Sequence, residues 1–230
     1  MVAQAGSPLQ EAMTTIRSYA KGTTQSLYMT VVSIIQGLAL ACLIPEVFKQ
    51  EYTQMWREEG IGSVLIFALQ SLVVFQVIVV TWHVNVQHST MLARTPDWAD
   101  SYIPFLFAIP EYGLVTCLGY KSTASWFVCL SMYAWMCLWG IWDMYRASDK
   151  EGENRDVLCR LGSYRKQIQW YTFANAVCYG LIAWWDSVFE SVSRDVGVLV
   201  LTNVSFGAFQ FLHHYRCWKP LIEMEKRAFE

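Results

Sequence analysis

Glu111 is the residue in this chain best placed to do chemistry, because it lies in a membrane-length apolar run, Tyr102 to Tyr120, that also contains Pro104 and Pro110. A charged side chain at the centre of a bilayer costs about 2.5 to 3.5 kcal/mol on insertion scales, so such an acid faces protein or water and points to a functional site. Each proline removes a backbone donor and frees a carbonyl about one turn earlier, which the membrane tolerates only where neighbouring helices or cavity water satisfy it. The helix bearing Glu111 is therefore expected to face inward. Its chemistry would be the uptake and release of a proton or small cation. The structural alternative is an acid bonded to a polar side chain of the next helix, holding a bundle together.

Other hydrogen-bonding residues are expected at similar depth. Gln36, Asn175, Tyr179 and Asn203 fall near the middle of apolar runs, and Gln70 and Gln76 lie about a turn to either side. With Glu111 they make a candidate transport path to which every span except the fourth contributes. One or two such groups would be interhelical bonds worth about 0.6 kcal/mol each on average. So many, with a carboxyl group among them, resemble the lining of a wet path, and a polar but dry core is the alternative.

A second cluster is expected at one end of the bundle. His83, His88, His213 and His214, the four histidines of the chain, and Asp143 all fall near the ends of spans that run in the same direction. Imidazoles and carboxylates suit first-row metals, so a metal site or a gate is the chemistry to consider. The spacing argues against a metal. His83 and His88 are five apart, about 140° from each other on an ideal helix, and adjacent His213 and His214 cannot both enter one site from a regular helix. Histidine boxes of the HxxxH kind are absent from the sequence.

The elements that must position these residues follow from composition. The 230 residues are 54% hydrophobic, 15% aromatic and only 16% charged, where a soluble domain carries roughly 25% charge. An all-α bundle of six transmembrane helices is expected. The spans run from about Leu27 to Val47, Ile61 to Val86, Tyr102 to Tyr120, Ala124 to Trp142, Gln169 to Trp185 and Gly197 to His214, each close to the 20 residues a 30 Å bilayer needs. Residues 1–24 form an N-terminal segment whose stretch from Pro8 to Ala20 has the amphipathic pattern of a surface helix. Residues 25–216 form the membrane domain, and 217–230 a charged tail. Pro45 and Glu46 are expected to end the first span, Glu51 to Gly60 to be an acidic connector, and Tyr145 to Gln167 a long polar one. Asp97 or Asp100 is expected to cap the third span.

Orientation follows from the basic residues. With the N-terminus inside, thirteen of the seventeen Lys and Arg fall on inner segments, so both termini are expected to be cytoplasmic. Most of the eleven tryptophans lie near span ends, as an interfacial aromatic belt requires. Gly37 with Ala41 and Ala176 with Gly180 have the small-xxx-small spacing of close helix contacts, and a homo-oligomer is expected from them.

Several classes lose support. The formal charge of −2 leaves no basic footprint for nucleic acid. Phosphate loops, GxGxxG, HExxH and GxSxG are all absent. Seven cysteines form no CxxC pair, and five lie within apolar runs, so neither a disulfide framework nor a zinc knuckle is indicated. No cofactor is specified by any motif. The leading expectation is a small channel or ion-coupled transporter subunit for protons or small cations. The alternatives are a membrane-anchored sensor, effector or structural subunit that recruits a cytoplasmic partner or anionic lipid through Arg146 to Lys166, and a membrane-embedded metal-dependent enzyme using the histidine cluster.

Overall fold

A computed structural model describes residues 8–49, 52–91, 98–119, 123–148, 155–189 and 191–219. Among them the fold is all-α, with seven helices: α1 Pro8–Lys49, α2 Tyr52–Glu59, α3 Ile61–Met91, α4 Trp98–Thr116, α5 Thr123–Ser148, α6 Arg155–Val188 and α7 Val192–His213. A π-helical turn, His214–Trp218, continues α7. Four stretches are long and apolar enough to cross a membrane: Ser26–Phe48, Ile61–Val86, Thr123–Asp143 and Val192–Arg216. The other long helices, α4 with 19 residues and α6 with 34, have the length without the apolarity. In α4 the deficit comes from two prolines and two acids, and in α6 from its amides and tyrosines.

Side-chain pairs fix the relative directions. Gln70 meets Gly119 at one level of α3 and the end of α4, while Thr81 of α3 reaches Tyr133 of α5. Cys129 approaches Gly113, and Phe107 approaches Gly140 and Tyr133, so α4 and α5 are antiparallel. Tyr171 with Ser205 and Tyr164 with His213 make α6 and α7 antiparallel. Leu69 with Asn203 and His83 with His213 make α3 and α7 parallel. This is the up-and-down alternation that short connections impose. α3 is the central element, packed on α1, α2, α4 and α7, and α5 lies between α4 and α6.

The core gathers Ile66, Val73, Val74, Val77 and Ile78 of α3 with Leu114, Trp126, Phe127, Leu130 and Leu199 of its neighbours. Large apolar side chains also cover the outside. On α4, Ile103, Phe107, Glu111 and Leu114 face in, whereas Phe105, Ile109 and Tyr112 face out. On α6, Trp170, Phe173, Val177, Leu181 and Trp184 face out. Exposed apolar area on this scale suits a lipid environment rather than water.

Several sequence expectations need correction. The surface helix and the first span are one 42-residue helix, and Pro45 does not end it. Leu43 is buried in the core and Val47 packs against it, so tertiary contacts carry the helix past the missing donor. The acidic connector contains α2, closed by Gly60 at φ +85°, a left-handed conformation that glycine adopts without penalty. Most of the segment from Tyr145 to Gln167 is helical: α5 runs to Ser148 and α6 begins at Arg155. Buried Tyr145 and Tyr164 explain this, with Arg165 lying over the Tyr145 ring at 4.7 Å. Trp126 is fully buried rather than interfacial. Ser131 of α5 packs on α6 beside Gly180 and donates to the Ala176 carbonyl at 2.8 Å, so the Ala176 and Gly180 face is used within the chain. Asp97, the side chain of Asp100 and the tail beyond Lys219 lie outside the described residues.

Candidate functional site

The site is assembled where α1, α3, α4 and α5 meet. Glu111 has no exposed surface, and Gln36, on α1, is 4% exposed. The Gln36 Nε2 group donates to both carboxyl oxygens of Glu111, at 3.1 and 3.2 Å. α4 presents the acid inward because Ile103, Phe107, Glu111 and Leu114 recur at helical spacing on its buried face. Pro110, also buried, adjoins it.

Two hydroxyls complete the surroundings. Thr81 of α3 lies within hydrogen-bonding reach of the Glu111 carboxyl group and bonds Tyr133 of α5. Thr81 Oγ1 also donates to the Val77 carbonyl at 2.8 Å. A threonine hydroxyl has one hydrogen, so Tyr133 is the donor in the bond to Thr81. The Cys137 thiol, one turn from Tyr133 on α5, bonds the phenol as well. Phe107 closes over the Tyr133 ring edge-on, with centroids 5.7 Å apart. No lysine or arginine of the described residues pairs with Glu111. The acid is held by the Gln36 amide beside the Thr81 hydroxyl, both neutral.

The remaining residues of the anticipated path are distributed elsewhere. Gln70 Oε1 accepts the Gly119 N–H at 2.7 Å and closes the end of α4. Asn203 Nδ2 donates to the Leu199 carbonyl at 2.8 Å and to the Leu69 carbonyl of α3 at 3.3 Å. Asn175 donates to the Tyr171 carbonyl at 2.8 Å. Tyr179 is buried against Phe127, with Thr202 within hydrogen-bonding reach. Gln76 keeps a buried Oε1 without a hydrogen-bond partner. Of the seven residues, the structure brings Gln36 and Glu111 into direct contact and gives the others separate positions between helices.

Sequence reasoning missed Tyr133, Thr81 and Cys137. The fourth span was expected to add nothing polar to the middle of the membrane, but α5 supplies both Tyr133 and Ser131 there. The available signal was Tyr133 itself, a phenol at the midpoint of an apolar helix rather than at its interfacial ends.

Beyond Thr81, towards the end of α7, His83 and His213 approach with ring centroids 6.5 Å apart. His213 is buried, stacks on Phe209 and shares a 2.6 Å hydrogen bond between Nδ1 and the Tyr164 hydroxyl. His214 is exposed at the start of the π-helical turn. Asp143 has one buried oxygen without a partner, and the His88 side chain lies outside the described residues. Among the described residues no three His, Cys, Asp or Glu side chains are placed to hold a metal ion.

Compared with models of known protein families, with characterised proteins and with solved structures, the chain matches none.

Proposed function

We propose that the chain is a six-span membrane protein passing protons or small cations, with Glu111 as the working acid. The supporting observation is the neutral shell: the carboxyl group has no exposed surface, and Gln36, Thr81 and Tyr133 surround it without a cation. A buried ionised carboxyl group held only for structure gains most from a fixed positive partner. The Gln36 amide donates to the ionised carboxyl group, and the Thr81 oxygen can accept from the protonated one, so the two serve the acid both with and without its cargo.

In this reading α4 and α6 join the four apolar stretches as spans. Each lies antiparallel beside a candidate span and turns apolar residues outward. The excess of Lys and Arg on the segments taken as inner supports cytoplasmic termini, with the end of α4 on the opposite side. The test is ion flux in proteoliposomes. Glu111→Gln should insert and fold but lose most of the flux, and full flux through a stable Gln variant would overturn the reading.

A second reading, a membrane-anchored scaffold or sensor, is favoured by one observation. Gln70 and Asn203 each make bonds that hold helices or helix ends, and Asn175 bonds back to its own helix, as in a dry core. Its partner would engage the basic segment Arg146 to Lys166. Co-purification of a cytoplasmic protein through that segment, in a chain without flux, would establish it.

A further inference from the structure

We propose that Cys117 and Cys129 form a thiol–disulfide redox site that clamps the end of α4 to α5. The two residues are twelve apart in sequence, one just after the end of α4 and one on α5, and both are partly buried thiols outside any disulfide. Cys117 follows the last turn of α4, its N–H donating to the Gly113 carbonyl at 3.0 Å. Gly119 then breaks the helix at φ +113°. Gly113 is one turn before Cys117 on the same face. It forms a notch: a Cβ built there would lie 2.7 Å from Cys129 Sγ and 3.5 Å from Cys129 Cβ. The Cys129 sulfur therefore lies against the α4 backbone directly below Cys117, and the two thiols are within hydrogen-bonding reach of each other.

A disulfide requires Cα atoms roughly 4.4 to 6.8 Å apart, closer than the 8 to 10 Å between ordinary helix axes. The glycine notch lets α5 approach α4 more closely here than a side chain at position 113 would allow. The proposed orientation puts this end of α4 on the non-cytoplasmic side, where disulfides persist.

The chemistry balances with a small disulfide such as glutathione disulfide as oxidant. The Cys117 thiolate attacks it, forming a mixed disulfide and releasing one glutathione thiolate. The Cys129 thiolate then attacks the Cys117 sulfur and displaces the second. The two cysteine protons end on the two released thiolates, so the protein is oxidised by two electrons and glutathione disulfide is reduced to two glutathiones. The clamp would restrain the helix that carries Glu111 six residues earlier.

The experiment equilibrates the purified full-length chain with glutathione disulfide and glutathione, quenches by alkylation and maps peptides by mass spectrometry. The expected result is loss of the Cys117 and Cys129 thiols together, with a peptide joined through these residues that glutathione reverses. Cys129→Ser should instead stop at a glutathione adduct on Cys117. Gly113→Ala, which keeps both thiols but displaces the Cys129 sulfur, should reduce the cross-linked fraction. Persistence of both thiols when Cys117 is open to alkylation would overturn the proposal, as would pairing of Cys117 with another cysteine.

Discussion

Gln36 holds both carboxyl oxygens of Glu111 through one amide nitrogen, at 3.1 and 3.2 Å, across the contact between α1 and α4. That bond joins residues 75 apart in sequence and ties the first long helix to the one with two internal prolines. Replacing Glu111 by Leu leaves the buried amide without its acceptor, at a cost of about 1 to 3 kcal/mol. Glu111→Gln keeps the volume and an acceptor and should cost less. Thermal unfolding in detergent of both variants checks this, and equal destabilisation by Gln and Leu would show that the amide bond contributes little.

Tyr133→Phe removes the donor to Thr81 and should destabilise by about 0.5 to 1.5 kcal/mol. Thr81→Val removes the other partner, and the double variant should cost less than the two single changes added together, because they share one bond. A double-mutant cycle measured by thermal or denaturant unfolding tests the coupling. Strict additivity would mean that the Thr81 and Tyr133 hydroxyls are independent in the folded protein.

Gly113→Ala introduces a methyl group 2.7 Å from Cys129 Sγ. Overpacking of this kind costs about 1 to 3 kcal/mol. Adding Cys129→Ala removes the obstructing sulfur and should restore most of the loss. If the second change gives no recovery, the close contact between α4 and α5 lies elsewhere.

Orientation is tested with single cysteines in a cysteine-free background. Ser193→Cys, exposed at the start of α7, should react with an impermeant maleimide added outside, whereas Lys166→Cys on α6 should react only after permeabilisation. Labelling in the reverse order would invert the bundle and move the end of α4 to the cytoplasmic side.

Self-association is expected through α1, where no neighbouring helix among the described residues lies within 4 Å of a Cβ built on Gly37, and Ala41 is exposed. Gly37→Leu should shift the mass distribution in nanodiscs towards monomer. An unchanged distribution would exclude this face as the contact.

How much of this was legible differs from residue to residue. Glu111 stood out because the cost of an acid in hydrocarbon is visible without knowing any neighbour, and its inward orientation followed from the same cost. Gln36 was noticed for similar reasons, but its pairing with Glu111 is a tertiary fact that no local pattern encodes. Tyr133 was overlooked because aromatic residues are common in membrane helices and depth alone distinguishes this one. Pro45 was read as a terminator because local rules describe an isolated helix, whereas buried Leu43 and core-packed Val47 hold the helix on both sides of it. The contact between Cys117 and Cys129 depends on a missing side chain at Gly113, and spacing rules for cysteine do not register it.

The central position of α3 bears on how the protein is made. Its contacts with α1, α2 and α4 can form early in synthesis, but its contact with α7 must wait, since Val192–His213 emerges after them. Until then the face of α3 that meets Val192, Asn203 and His213 has no partner within the nascent chain. α7 therefore docks beside α3 after the earlier helices have been made. A ribosome-stalled chain lacking α7 should leave that seam open to lipid or to a membrane chaperone.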